Sequence, residues 1–479
     1  MPTSANHMIG KLPAEVVGEP QWITSTLRIK PGRDPLGFQT ITSDRIMPQL
    51  LPGILALSQR ARYISFHAFL LSEYQSRRLP ATSNALSAFI KAREFELGVA
   101  AEYCSRRCWA DGIVGKRRTD PAARQGLKVG VVERGESVES HLGGYGLYYR
   151  TPMSDLGLVA REGTMLGEEP TPIDVLLPDS LAQPLAESFR ACISQTRYYQ
   201  KYMFNSEPIP KAVLAEYAEA ACLCGIHDSP VEQQLLFDTI LGPATGPGGP
   251  EAEQRRRSMA LFLALLEGDH EVAYSAQYFR RAIWDTFVVA HSATSARTAV
   301  LSQWAALIAK DWLQQGLTAV WSDLCRFGLR DQPSSGFNTQ ELNELVSHRL
   351  LGSGTLRIGN TRVAYTPTTP TSEFGAAVDA TSGDHSLEDL RQEILRENPA
   401  VGGLALVLTL CARLPDPKTA HRGWRDIGSQ HSEHQSGLLE FAALLERHLR
   451  AEPSLSETIS WLVRQFILVP HERIAYGDC

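Results

Sequence analysis

The apolar positions of this chain recur mostly at helical spacing. After Pro52-Gly53, Leu57, Ala61, Ile64, Ala68 and Leu71 fall three to four residues apart, which predicts a helix over 54–78. Pro80 ends it, and Thr82-Ser83-Asn84 can cap a second helix over about 85–109. Its stripe is Leu86, Phe89/Ile90, Leu97 and Ala101, continued by Cys104 and Cys108. Further helical patterns cover 179–204, 211–224, 230–241, 251–330, 339–350, 386–397, 401–414, 438–450 and 455–468. Tyr278, Phe279, Trp284, Phe287, Trp304 and Trp312 form an aromatic stripe in this series, a pattern typical of core.

Strand patterns are few. Residues 140–175 are rich in Gly and Tyr and read as short strands and turns. Gly359-Asn360 separates two alternating runs between 355 and 365, the signature of a hairpin. The fold class expected is therefore mainly α: bundle-like helical domains with small β elements near 140–165 and 353–366. Residues 1–45 read as irregular, with extended pieces at 22–29 and 37–41. Gly242 to Pro250 contains seven Gly or Pro in nine residues and marks a loop or boundary. The organisation expected is a basic helical region at 1–135, a mixed loop and helix region at 136–241 continuous with it, and a helical domain at 251–330. A fragment at 331–370, compatible with a winged helix, and a helical region at 386–479 follow.

Composition is that of an ordinary globular chain, with 43% hydrophobic and 21% charged residues and a net charge of −6. The charge is unevenly placed. Residues 1–130 hold 18 basic and 10 acidic residues, a net of +8, which leaves −14 for the rest. Such polarity suits a polyanion or an acidic partner, or parts of one body that neutralise each other. The residues singled out for contact with nucleic acid are Arg60, Arg62, Arg77, Arg78, Arg106, Arg107, Lys116, Arg117 and Arg118. At 100° per residue, Arg60 and Arg62 leave a helix on nearly opposite flanks, so internal ion pairs are a strong alternative for them. Lys116-Arg117-Arg118, expected in a loop, is the better phosphate contact.

Other chemistry is weakly signalled. Gly115-Lys116-Arg117 lacks the spacing and the Ser/Thr of a phosphate loop, and Gly143-Gly144-Tyr145-Gly146 is no dinucleotide fingerprint. Asp416-Pro417-Lys418 places proline where a nuclease needs a strand. His227-Asp228 and His431/Glu433/His434 match no metal-ligand pattern, and no G-x-S-x-G is present. Cys104, Cys108, Cys222, Cys224 and His227 have the composition of a zinc site, but their places in apolar stripes favour packing thiols. No catalytic residue, metal site or cofactor is assigned. Without a signal-peptide core or an apolar run of about 18 residues, the chain is expected to be cytoplasmic and free of membrane.

Leu36-Gly37, Leu51-Pro52-Gly53 and Arg60-Ala61-Arg62-Tyr63, followed by an aromatic-rich helix, resemble an uncharacterised bacterial family associated with helicase- and nuclease-containing phage-defence loci. The resemblance covers about 45 residues, and His67-Ala68 stands where that family is more aromatic and proline-rich. It implies a context of defence against foreign DNA, with helicase/ATPase or nuclease subunits as partners, and assigns no reaction. The leading expectation is an accessory, non-catalytic component of a DNA-targeting defence complex. The alternatives are a metal-dependent nuclease with carboxylates from distant segments, and a purely structural adaptor.

Overall fold

The computed structural model describes residues 40–471 except 56, 107–111, 244–248, 268–274, 291–294, 332–340, 342–343, 347–349, 384–385 and 433–434. Helix makes up 67% of the structure. Among the described residues the strands form only two-stranded antiparallel pairs, so the mainly α expectation holds. The chain divides into two compact units, Pro48–Met259 and Met1–Met47 with Ala260–Cys479. The division does not fall at the Gly/Pro-rich stretch 242–250. It falls ten residues further on, inside a continuous helix, because Arg255 and Ser258 on that helix donate to the Pro52 and Leu50 carbonyls of the first unit.

In chain order the unit Pro48–Met259 begins within a short helix α1 (Met47–Leu50). There follow α2 (Arg62–Ser76), α3 (Ser83–Glu102), α4 (Lys116–Val129), α5 (Arg150–Asp155), α6 (Ala182–Ile193), α7 (Lys211–Ala221), α8 (Pro230–Leu241) and the first part of α9 (Pro250–Leu266). Three strand pairs join loops: β1 (Val131–Val132) with β6 (Ile209–Pro210), β2 (Val159–Ala160) with β5 (Val175–Leu176), and β3 (Met165–Leu166) with β4 (Glu169–Pro170). The small β elements expected near 140–165 thus extend to Leu176, while the β1–β6 pair was not anticipated.

The first expected helix begins eight residues late. Ser58 Oγ donates to the Tyr148 carbonyl at 2.5 Å, and the Arg60 N–H reaches the Tyr149 hydroxyl at 3.4 Å. These contacts hold the approach to α2 against the helical segment Tyr145–Tyr149 in place of a helical turn of its own. Thr82 caps α3 as expected, accepting from the Ala85 N–H.

Helix α2 is the axis of this unit, buried from Arg62 through Tyr74. Its apolar residues join one core with α3, α6 and α7. Its charged residues are buried too, and each meets a partner. Arg62 Nε lies 3.2 Å from both Glu232 oxygens on α8, and its terminal nitrogens donate to the Ala220 and Cys222 carbonyls. His67 Nε2 pairs with Glu94 on α3 at 2.9 Å. Glu73 accepts from Arg190 at 2.8 Å, Tyr199 at 2.9 Å and Arg77 at 3.0 Å. Burial pushes the Glu73 carboxyl up, but these three donors outweigh it and hold the group below its usual range.

The unit Met1–Met47 with Ala260–Cys479 is built on α11 (Ala296–Asp331), a helix of 36 residues, after α10 (Ala276–Ala290). The hairpin β7 (Gly354–Ile358) and β8 (Thr361–Tyr365) forms as expected, turning at Gly359. It packs against α12 (Thr371–Ser382) and α13 (Leu387–Glu397). The helix expected at 339–350 falls largely outside the described residues. Helices α14 (Pro399–Ala412), α15 (Arg422–Gly428), α16 (Leu438–Leu449) and α17 (Leu455–Leu462) complete the unit.

The crossing of α11 and α14 is very close. A Cβ on Gly316 would meet the Gly403 carbonyl at 2.9 Å, so both positions are held to glycine by backbone contact. The aromatic stripe is core, with Trp284, Phe287, Trp304 and Trp312 all buried. The Trp312 indole donates to buried Glu388 at 2.9 Å. Lys310 is also buried and donates to the Ser436 carbonyl at 2.7 Å, and burial pulls its ammonium down to about 7.

Two outcomes follow from these buried charges. Arg62→Met leaves Glu232 charged and unpartnered, and chemical denaturation should show a loss of about 3–5 kcal/mol. The double variant Arg62→Met/Glu232→Leu should recover most of it, because no buried charge remains unpaired. For Lys310 the folded pKa lies below the unfolded value of about 10.4, so the folded state binds the proton less tightly. This group's contribution to stability therefore rises with pH between about 7 and 10.4. Thermal melts across that interval should show the rise in wild type and its absence in Lys310→Met.

Candidate nucleic-acid interface

Lys116-Arg117-Arg118, expected in a loop, instead open the helix α4 (Lys116–Val129). Gly115 and Gly130, both at positive φ, bracket α4, and Pro121 lies within it. Glycine and proline gave the stretch its turn-like appearance. Tertiary packing overrides that local signal, because Thr119, Ala123 and Gly126 at i, i+4 and i+7 are small enough to seat the helix closely on α3 and its end. The Tyr103 hydroxyl after α3 donates to the Ala123 carbonyl at 2.8 Å.

The opposite face is basic and exposed. At 100° per residue Arg117, Arg124 and Lys128 lie within a stripe about 40° wide and about 16 Å long, with Pro121 between them. One strand of a duplex presents about five phosphates over that rise. Among the described residues Arg117 and Lys128 form no ion pair. Lys116, Arg117 and Arg118 occupy the first turn, where the helix dipole is already positive and Gly115 brings no capping side chain. The arrangement costs the helix some stability and concentrates positive potential at its start. Arg118 pairs with exposed Glu139 at 2.6 Å.

Glu102 and Asp120 lie beside the stripe. Burial first, and then the hydrogen bond and charge of Asp120, hold the Glu102 carboxyl above its usual range; Lys116 and Arg124 act in the opposite direction.

The remaining expected contacts are dispersed. Arg62 is a correction: its guanidinium is enclosed between Glu232 and two carbonyls, out of reach of any phosphate. Arg60 is half-buried at the entrance to α2. Arg77 is exposed but lies 3.5 Å over the Phe204 ring and pairs with Glu73. Arg106 pairs with Asp228. Arg78 is exposed at the end of α2, at a positive φ. Arg107 lies outside the described residues. Of the three basic residues that open α4, Arg117 lies on the stripe that Arg124 and Lys128 complete, while Lys116 and Arg118 fall about 100° to either side of it. The spacing of Arg124 and Lys128, seven and eleven from Arg117, is the sequence signal of a shared helix face.

Gly143-Gly144-Tyr145 does form an anion cradle, but for an internal carboxylate. Glu94 is fully buried and accepts from the Gly144 N–H at 2.8 Å, the Tyr145 N–H at 2.6 Å and Ser137 Oγ at 2.6 Å, besides His67. Asp174 likewise takes both arms of Arg150 at 2.7 Å and the Tyr145 hydroxyl at 2.8 Å. These groups have no free valence for a substrate.

Among the described residues, the metal-ligating side chains that converge are Cys104, Cys222 and Cys224. Asp416 and Lys418 lie in a turn, where Asp416 accepts from the Lys418 N–H. No family model, curated protein or solved structure matches the chain. Among the described residues no helix is long and apolar enough to cross a membrane.

Asp120→Asn should lower the Glu102 titration midpoint toward its ordinary value of 4.5, leaving a residual elevation from burial. Carboxyl NMR across the acid range measures this, and an unmoved midpoint would show that burial alone sets it.

Proposed function

We propose that the protein is an accessory component of a bacterial DNA-targeting defence complex, and that α4 contacts the phosphate backbone. The observation that carries this reading is the exposed stripe Arg117, Arg124 and Lys128 on a helix whose other face is packed. Regularly spaced cations on a rigid element neutralise phosphates without reading bases, which suits an accessory role with no sequence specificity of its own. The defence context, and helicase or nuclease subunits as partners, rest on the resemblance around Arg60-Ala61-Arg62-Tyr63. In this chain Arg62 and Tyr63 are interior residues, so that motif speaks for a shared core and the contact reading rests on α4. The nuclease alternative draws no support from the described residues, where no group of three carboxylates has metal-site spacing.

Fluorescence anisotropy with a labelled duplex tests the proposal. Wild-type affinity should fall steeply as salt rises, because neutralised phosphates release counterions. The triple variant Arg117→Ala/Arg124→Ala/Lys128→Ala should bind more weakly on every sequence. Its log–log salt slope should be shallower by about 2 to 3. No affinity at low salt, or an unchanged slope, would overturn the nucleic-acid reading and leave a protein-only adaptor.

A further inference from the structure

Three thiols from two distant parts of the chain meet at one end of the unit Pro48–Met259. Cys104 lies just beyond α3, Cys222 ends α7, and Cys224 sits in the following tight helical turn, Leu223–Asp228. Their sulfurs all lie within 4.8 Å of one another, and Cys104 Sγ is 3.6 Å from Cys224 Sγ. That separation is far beyond a disulfide bond of about 2.05 Å. It is close to the roughly 3.8 Å edge of a tetrahedron whose metal–sulfur bonds are about 2.3 Å. We propose that Cys104, Cys222 and Cys224 bind one zinc-class divalent ion, which fastens the end of α3 to the turn after α7.

The surroundings fit a thiolate site better than a patch of packing thiols. Cys104 and Cys222 are buried, which shields metal–sulfur bonds, while Cys224 is partly exposed and lets a solvent ligand reach the ion. Arg106, paired with Asp228, stands within electrostatic reach of the Cys224 and Cys104 sulfurs. Arg62 donates to the Cys222 carbonyl from inside, and the Gly225 N–H donates to the same oxygen at 2.8 Å. The Arg62–Glu232 pair thereby holds the turn that carries two of the three sulfurs. Among the other described thiols, Cys325 and Cys411 are pushed by burial up to about 11 and about 12, as expected of inert packing residues, while Cys108 lies outside the described residues.

Loading is a ligand exchange without redox chemistry. The hydrated ion gives up water, forms three bonds to sulfur and keeps one water in the fourth position. The three thiols release three protons to solvent. A divalent ion with three thiolates leaves a net charge of −1, within electrostatic reach of the Arg106–Asp228 pair. His227, the imidazole of the C-x-C-x-x-H spacing, is exposed and outside the cluster. A soft three-sulfur set selects zinc over magnesium or calcium, which prefer oxygen.

The test uses the full chain, purified reduced and without chelator. Elemental analysis should find about one zinc per chain. Cobalt added to the metal-free protein should produce thiolate-to-metal charge-transfer absorption. Cys224→Ser, at the least buried of the three positions, should weaken metal affinity by at least about 10–100-fold. Cys192→Ser should leave it unchanged. Circular dichroism on both variants separates lost ligation from lost fold, and the wild-type cobalt spectrum stands independently of either. Absence of zinc together with no charge-transfer band in the reduced wild type would overturn the site. An equal loss in Cys192→Ser would do the same, as would a Cys104–Cys224 disulfide whose reduction restores no cobalt binding.

Discussion

A helix enclosed on every side cannot leave its charged side chains without partners, because an unpaired charge in the interior costs several kcal/mol. Helix α2 carries Arg62, His67 and Glu73 in just that position. Their partners come from three different elements: Glu232 from α8, Glu94 from α3 and Arg190 from α6. Apolar packing alone would tolerate small rotations of these helices around α2. The ion pairs do not, since each must be met in one geometry, and they set how the helices surround the axis.

The same constraint reaches the loops. Glu94 has more acceptor capacity than His67 uses, and the 143–145 turn supplies two backbone N–H groups to fill it. A Cβ on Gly143 would press on the Glu94 carboxylate, so glycine there reflects the closeness of that approach. A Gly-rich stretch that suggests ligand binding is in this protein an internal cap for a buried acid. Arg62 extends the network to the Cys222 turn, linking the axis of the unit to its cysteine cluster.

Much of the helical framework is legible in the sequence. Thr82, Ser386 and Ser454 cap helices where their side chains announce them, and Gly359-Asn360 turns the expected hairpin. The aromatic stripe from Trp284 to Trp312 is core, as its spacing indicates. Misreadings cluster where tertiary contacts compete with local preference. Residues 54–61 have helical periodicity, yet Ser58 and Arg60 are tied to Tyr148 and Tyr149 of a neighbouring helical segment. Residues 116–129 have glycine and proline, yet small residues let them pack as a helix. A loop would separate Arg124 and Lys128 from Arg117, whereas the helix sets the three on one stripe.

By itself the sequence determined the mainly helical class, most helix ends, the aromatic core and the polarity of charge, because these depend on neighbours within a few turns. It could not decide which charges are interior. Arg62 and Arg117 are the same residue type in equally basic surroundings, and only the packing of α8 beside α2 buries the first while α4 leaves the second exposed. Nor could spacing show that Cys104 meets Cys222 and Cys224 across more than a hundred residues of chain. That convergence depends on how α3 and α7 lie together, a long-range outcome of burying their apolar faces in one core.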